Sequence, residues 1–244
     1  MNQPNSVGKN VKYIAHRGFS ELAPENTIPA YEMAGRYSFW GAETDIHTTL
    51  DGFWVCMHDS TVERTTNGMG RVNRFTLEQI KSMDIDDGNN ISQYQHLKVP
   101  TLQEYLSCCI KNNLYPVIEI KRAQNRKDYD SFMKILREYK IEKECIVISF
   151  DYDALEEIRK RSKDIYIQFL SEITEKNISK VKSLGNAGFD CEYTTLTKEL
   201  IERAHKEGLL VNCWTVDKYG DAGNLVNMGI DMITTNALGG NKTY

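Results

Sequence analysis

The chain has 244 residues, 41% hydrophobic and 26% charged, an ordinary globular balance with ample apolar material for a core. A net charge of −4 offers no electrostatic footing for nucleic acid, which calls for a concentrated basic surface, so any anionic ligand must be met by a local Lys/Arg cluster. No apolar run approaches the ~20 residues that span a bilayer, so stable membrane insertion is not expected.

Residues 1–10 are polar and lack the apolar centre of a signal peptide, so the expected compartment is the cytoplasm, with a leader already removed as the alternative. Cys56, Cys108, Cys109, Cys145, Cys191 and Cys213 show no CxxC spacing and sit mostly in apolar runs. They read as reduced, buried thiols.

Short β-rich runs alternate with longer amphipathic stretches along the chain. Strands are predicted over residues 11–15, 41–46, 115–120, 145–149, 165–169, 187–191, 209–213 and 231–234. Helices are predicted over residues 101–112, 126–139, 151–161, 174–184, 197–207 and 217–228, the first opening with Thr101 and Glu104 at capping-box spacing. Eight strands in βα alternation predict an α/β fold with a parallel sheet, and eight is the number that closes a TIM (β/α)₈ barrel. The open doubly wound alternative lacks a GxGxxG or GxxxxGK[ST] loop after its first strand. Between Asp59 and Pro100, after the second strand, the chain turns polar, with one short helix predicted over 76–83. We expect a single domain over residues 1–244, with residues 60–100 a small insertion on the barrel rim.

The second strand carries Glu43 and Asp45, two residues apart and therefore on one face. The third repeats the pattern in Ile118-Glu119-Ile120-Lys121. Barrel strands are covered on both sides, where an ionised carboxylate is costly unless paired or metal-bound. Taken singly, each of these groups fits an internal salt bridge, such as Glu119 with Lys121, or a place in solvent past the sheet. Converging at strand ends, Glu43, Asp45 and Glu119 make a hard, oxygen-rich site suited to one divalent ion, Mg²⁺ or Ca²⁺. His16-Arg17-Gly18 follows the first strand, offering a proton-transfer group, a planar fork for phosphate and a residue free to turn tightly. His58 returns to the same rim after the run 53–57, and either histidine could serve as acid or base. His47 shares the Glu43/Asp45 face but reads as a polar rim residue. His96 and His205 have no partner motif.

These residues resemble the glycerophosphodiester phosphodiesterase family. The matching segments are His16-Arg17-Gly18, Pro24-Glu25-Asn26-Thr27, Glu43-Thr44-Asp45, Asp51-Gly52, His58-Asp59 and Arg64-Thr65-Thr66, then Pro100-Thr101-Leu102, Ile118-Glu119-Ile120-Lys121 and Trp214-Thr215-Val216. They run in family order over nearly the whole chain. The resemblance implies a (β/α)₈ barrel that hydrolyses glycerophosphodiesters to sn-glycerol 3-phosphate and an alcohol. By the same resemblance, Glu43, Asp45 and Glu119 hold the metal, His16 and His58 act as general base and acid, Arg17 and Lys121 contact phosphate, and Trp214 walls the glycerol. It further implies a two-step route through a cyclic phosphate. The segment Thr234-Thr235-Asn236-Ala237-Leu238 departs from the family in lacking the proline that often follows its closing motif, which bears on the shape of the final loop.

The expected partner is a small-molecule glycerophosphodiester. The alternative is a phospholipase D-like or lysolipid phosphodiesterase that releases a cyclic phosphate. Residues 59–100 show no aromatic or basic amphipathic stretch for membrane docking, which favours soluble substrates. A barrel that merely binds a phosphorylated ligand would lack part of the proton-transfer and metal set, and none of it is missing. The sequence itself carries no sign of head group, of the order of the histidines or of oligomeric state.

Overall fold

The computed structural model describes residues 11–239. The polar stretch 1–10 lies outside the described residues. Its strands and helices are β1 (Lys12–Ala15), α1 (Ile28–Arg36), β2 (Gly41–Thr48), β3 (Trp54–Cys56), α2 (Leu77–Ser82), α3 (Leu102–Lys111), β4 (Tyr115–Arg122), α4 (Arg126–Glu138) and β5 (Ile146–Ser149). They continue with α5 (Tyr152–Arg161), β6 (Tyr166–Leu170), α6 (Glu175–Leu184), β7 (Ala187–Glu192), α7 (Lys198–Lys206), β8 (Val211–Trp214), α8 (Tyr219–Met228) and β9 (Met232–Thr235).

Eight of the strands pair in parallel in the order β1-β9-β8-β7-β6-β5-β4-β2, and β1 closes the ring on β2 with Ile14 opposite Gly41. This is the α/β TIM barrel that strand spacing predicts. All eight predicted strands are present. β2 runs two residues further than expected because Ile46, His47 and Thr48 pair with β3 in an antiparallel hairpin, where the register to β4 shifts. Ile14, Val117, Ile146, Ile148, Tyr166 and Met232 form one apolar cluster, by strand parity the barrel interior. A larger cluster fills the space between sheet and helices.

α3 has the predicted capping box, Thr101 with Glu104, and Asp151 caps α5. The sequence reading missed α1, although Thr27 caps it and Pro29 sits in its first turn, both ordinary start signals. α8 starts at Tyr219 rather than at 217, because the Asp217 carboxylate is engaged with Thr235 and Asn236.

The chain between β3 and α3 builds a small core from Val55, Met57, Val62, Val72, Ile80, Ile85 and Val99, closed by the Thr76/Gln79 capping box of α2. All six cysteines are free and buried. Among the described residues no helix is long and apolar enough to cross a membrane.

Candidate active site

The C-terminal ends of the barrel strands open into a cavity of about 240 Å³. His16, Arg17, Glu43, His58, Glu119, Lys121 and Trp214 line it, and Asp45 lies buried beside them. The eight predicted site residues are thus brought together.

Adjacent strands bring the carboxylates into one place, since β2 and β4 align Asp45 with Glu119 and Glu43 precedes Asp45 by one pleat. One oxygen of each of Glu43, Asp45 and Glu119 lies within 4.8 Å of the others. Their surroundings differ. Burial acts to raise the Asp45 carboxyl, but the Lys121 ammonium at 3.2 Å and the Arg17 guanidinium at 3.5 Å hold it at about 2. Glu119 is pushed up to about 7 by burial and by Asp45, against the pull of Lys121 at 2.7 Å. Glu43 is pushed well above its ordinary range by burial, Asp45 and Glu119. Its Oε2 accepts from the Arg17 backbone N–H at 2.8 Å, while its buried Oε1 has no partner. The Glu119–Lys121 salt bridge therefore exists within the cluster and does not replace it.

This donor set fits a hard divalent cation. Three buried carboxylates, one with an unpartnered oxygen and two driven toward protonation, are short of positive charge.

Arg17 and Gly18 shape the turn after β1. Arg17 has φ +56° and Gly18 φ +76°. A Cβ on Gly18 would stand 2.6 Å from the Ala30 side chain, so only glycine fits here. The turn aims the Arg17 N–H at Glu43.

Each histidine is held at Nδ1. His16 Nδ1 donates to Asn236 Oδ1 at 2.8 Å, and Asn236 Nδ2 donates to Asp217 at 2.8 Å, which fixes the amide's orientation. Burial, followed by Arg17, lowers His16 to about 4. It is therefore neutral at ordinary pH, with its lone pair at Nε2. His58 Nδ1 lies 2.7 Å from Asp59, whose carboxylate also accepts from Arg64 Nε at 2.6 Å. Arg64 continues to Glu25 at 2.7 Å, and Glu25 to Arg17 Nη1 at 3.0 Å. His47 is buried, its Nε2 near the His58 carbonyl at 3.1 Å, in keeping with a rim role. His96 is exposed, and His205 pairs with Asp231 on the outer side of the barrel.

Sequence reasoning gave no role to several residues that shape this site. Asn26 donates to Asp45 at 2.8 Å and accepts from the Asp45 N–H and the Thr44 hydroxyl. Glu25, Asn26 and Arg64 stand in segments that carry the family resemblance, which was the available signal. Asn236 and Asp217, which shape the proline-free final loop, carried none. Phe150, edge-on to Trp214 with ring centroids 5.8 Å apart, and Asp190 on β7 also line the cavity.

The profile of the glycerophosphoryl diester phosphodiesterase family matches residues 16–239. The glycerophosphodiester phosphodiesterase of Caldanaerobacter subterraneus subsp. tengcongensis is 33% identical over 230 residues, covering 91% of this chain and 92% of its own. That of Bacillus subtilis is 30% identical, covering 91% and 82%. Among solved structures, a glycerophosphodiester phosphodiesterase from Parabacteroides distasonis superimposes with a TM-score of 0.80 at 27% identity, over 94% of each chain. A phosphodiesterase from Oleispira antarctica, solved with its product sn-glycerol 3-phosphate, shares the fold with a TM-score of 0.86 at 24% identity over 92% of each chain. With a family profile that matches residues 16–239 and so covers the carboxylate cluster and all of the barrel but β1, this chain belongs to the glycerophosphoryl diester phosphodiesterase family.

Proposed function

We propose that the protein hydrolyses glycerophosphodiesters to sn-glycerol 3-phosphate and an alcohol, using one divalent ion, Mg²⁺ or Ca²⁺, held by Glu43, Asp45 and Glu119. The observation that carries this reading is the carboxylate trio sharing one cavity with two histidines whose Nδ1 atoms are both engaged. When bound, the ion supplies Lewis-acid polarisation of a phosphate oxygen and lowers the pKa of a coordinated hydroxyl.

The chain's own groups do the rest. Arg17 and Lys121 bind the phosphate oxygens. His16 Nε2, neutral and free, takes the proton of the attacking hydroxyl, and His58 gives its Nε2 proton to the departing alcohol oxygen. When the attacking hydroxyl is the substrate's own 2-OH, a P–O bond forms to it as the bond to the alcohol breaks, giving a cyclic phosphate. Water then opens the ring with the histidines in reversed roles. Trp214 and Phe150 wall the glycerol end from solvent.

In residues 59–100, Met69 is the exposed large apolar side chain among the described residues, a weak basis for lipid docking and a support for small, soluble diesters. Six free buried thiols suit a reducing compartment such as the cytoplasm. Residues 60–100 are read as an insertion of the same domain. Phosphorus NMR of reactions with glycerophosphocholine and with a lysophospholipid tests the activity. Glycerol 3-phosphate from the first substrate is expected; cyclic phosphate as the end product would favour the lysolipid-type chemistry, and phosphocholine would refute both.

A further inference from the structure

The cavity has a second wall whose buried polar atoms the hydrolytic reading does not use. In the ring of eight strands β7 lies four places from β2 in either direction, so Asp190 stands across the barrel from Glu43 and Asp45. Its neighbours in register are Leu170 on β6 and Asn212 on β8. Asp190 is 1% exposed, lines the cavity, and has a buried Oδ1 with no partner. On the next strand Trp214 also lines the cavity, and its buried Nε1 donor is likewise unpartnered. Thr234 completes this side but is already engaged with Asn212 at 3.0 Å.

An unsatisfied buried polar atom costs about 1–3 kcal/mol, more when charged, so a lone acceptor and a lone donor on one wall call for a ligand that serves both. A hydroxyl does: it donates to the unpartnered carboxyl oxygen of Asp190 and accepts from the indole N–H. Arg17 and Lys121, the phosphate contacts proposed above, line the same cavity as this wall.

We propose that Asp190 and Trp214 form a hydroxyl-reading subsite for the terminal hydroxyl of an unacylated glycerol, with Asp190 setting the preference for glycerophosphodiesters over diesters deoxygenated or acylated at that carbon. The inference rests on the function proposed above and specifies its substrate class. Removing the hydroxyl leaves both wall groups unpaired. Acylating it removes the proton and crowds Leu170 and Ile148, which line the same cavity.

The test compares kcat/KM for glycerophosphocholine with that for the matching diester of 1,2-propanediol, which keeps the 2-hydroxyl needed for chemistry. Wild type should prefer the glycerol diester by about 100-fold or more, since sites built to bind a hydroxyl reject analogues lacking it by up to ~10⁴–10⁵-fold. Asp190→Leu should bring that ratio to within about 3-fold, the loss falling mainly on the glycerol diester, whereas Asp190→Asn, which keeps an acceptor oxygen, should retain most of it. A merely structural role would lower both substrates together. If circular dichroism shows Asp190→Leu to be unfolded, Asp190→Ala serves in its place. A folded variant that keeps the wild-type ratio, or a wild type with no preference, overturns the subsite and leaves an ordered water as the wall's partner. A wild type that hydrolyses neither diester overturns the phosphodiesterase reading itself.

Discussion

His58 Nδ1 lies 2.7 Å from the Asp59 carboxylate, which leaves Nε2 as the ring nitrogen for the cavity. His16 is held in the same way, but by a neutral amide, Asn236. The two rings therefore differ in their partners, and in the proposed reaction His58, beside a carboxylate, gives the proton while His16, lowered to about 4 by burial and Arg17, takes one.

That asymmetry makes a leaving-group prediction. His58→Ala should lower kcat for a choline diester by about 10²–10⁴-fold, the usual range for a lost general acid. With a p-nitrophenyl diester, whose leaving oxygen needs no proton, the loss should shrink to below about 10-fold. Asp59→Ala should show the same pattern more weakly. Steady-state kinetics on both substrates check it. Equal losses on the two would place His58 outside proton donation.

His16→Ala should lose about 10²–10⁴-fold with either leaving group, because the base is needed for attack whatever departs. Asn236→Ala frees the His16 ring and should lose less. Its melting temperature should fall too, since the side-chain bonds to Asp217 and Ser20 go with it.

The carboxylate cluster couples metal, pH and stability. In metal-free protein Glu119 titrates at about 7 instead of an ordinary 4.5. Between those values the folded chain holds a proton that the unfolded chain releases, so stability falls as pH rises through this window. Glu119→Gln mimics the neutral form and should raise the melting temperature of EDTA-treated protein at pH 8 by several degrees, at about 2–4 °C per kcal/mol for a chain of this size. Glu43→Gln should act in the same direction. Both should lose activity. Added Mg²⁺ or Ca²⁺ should stabilise the wild type more at pH 8 than at pH 6, because the ion displaces protons. Thermal scans in EDTA and in each metal read all of this.

Asn26→Ala removes the donor to Asp45 and the acceptor for the Thr44 hydroxyl, both buried. A cost of about 1–3 kcal/mol is expected from the groups left unpaired. Metal affinity should fall by roughly 10–100-fold, the usual effect of losing a group that orients a ligand. Denaturant melts and calorimetric metal titrations check the two effects separately.

The barrel was legible because each strand is a short β-rich run between capped helices, and because charges two apart inside such a run have few structural explanations. Glu43, Asp45 and Glu119 could be grouped on parity alone. Helix α1 was missed although Thr27 and Pro29 mark its start, because Pro24-Glu25-Asn26-Thr27 was read only as a family motif. Asn236 and Asp217 act through a chain of hydrogen bonds that reaches His16, 220 residues from Asn236 in sequence, which no local pattern encodes. The order proposed for the histidines was not legible either: Asp59 stands next to His58 in the sequence, but the Asn236 amide meets His16 Nδ1 from 220 residues away.

The most direct measurement is sn-glycerol 3-phosphate release from glycerophosphocholine by exhaustively metal-stripped protein, with Mg²⁺ or Ca²⁺ then titrated back. We expect no release from the stripped protein, recovery saturating with one ion per chain, and no recovery in Glu43→Gln. Full-rate release from the stripped protein, or recovery in Glu43→Gln equal to wild type, would contradict the assignment of the carboxylate trio.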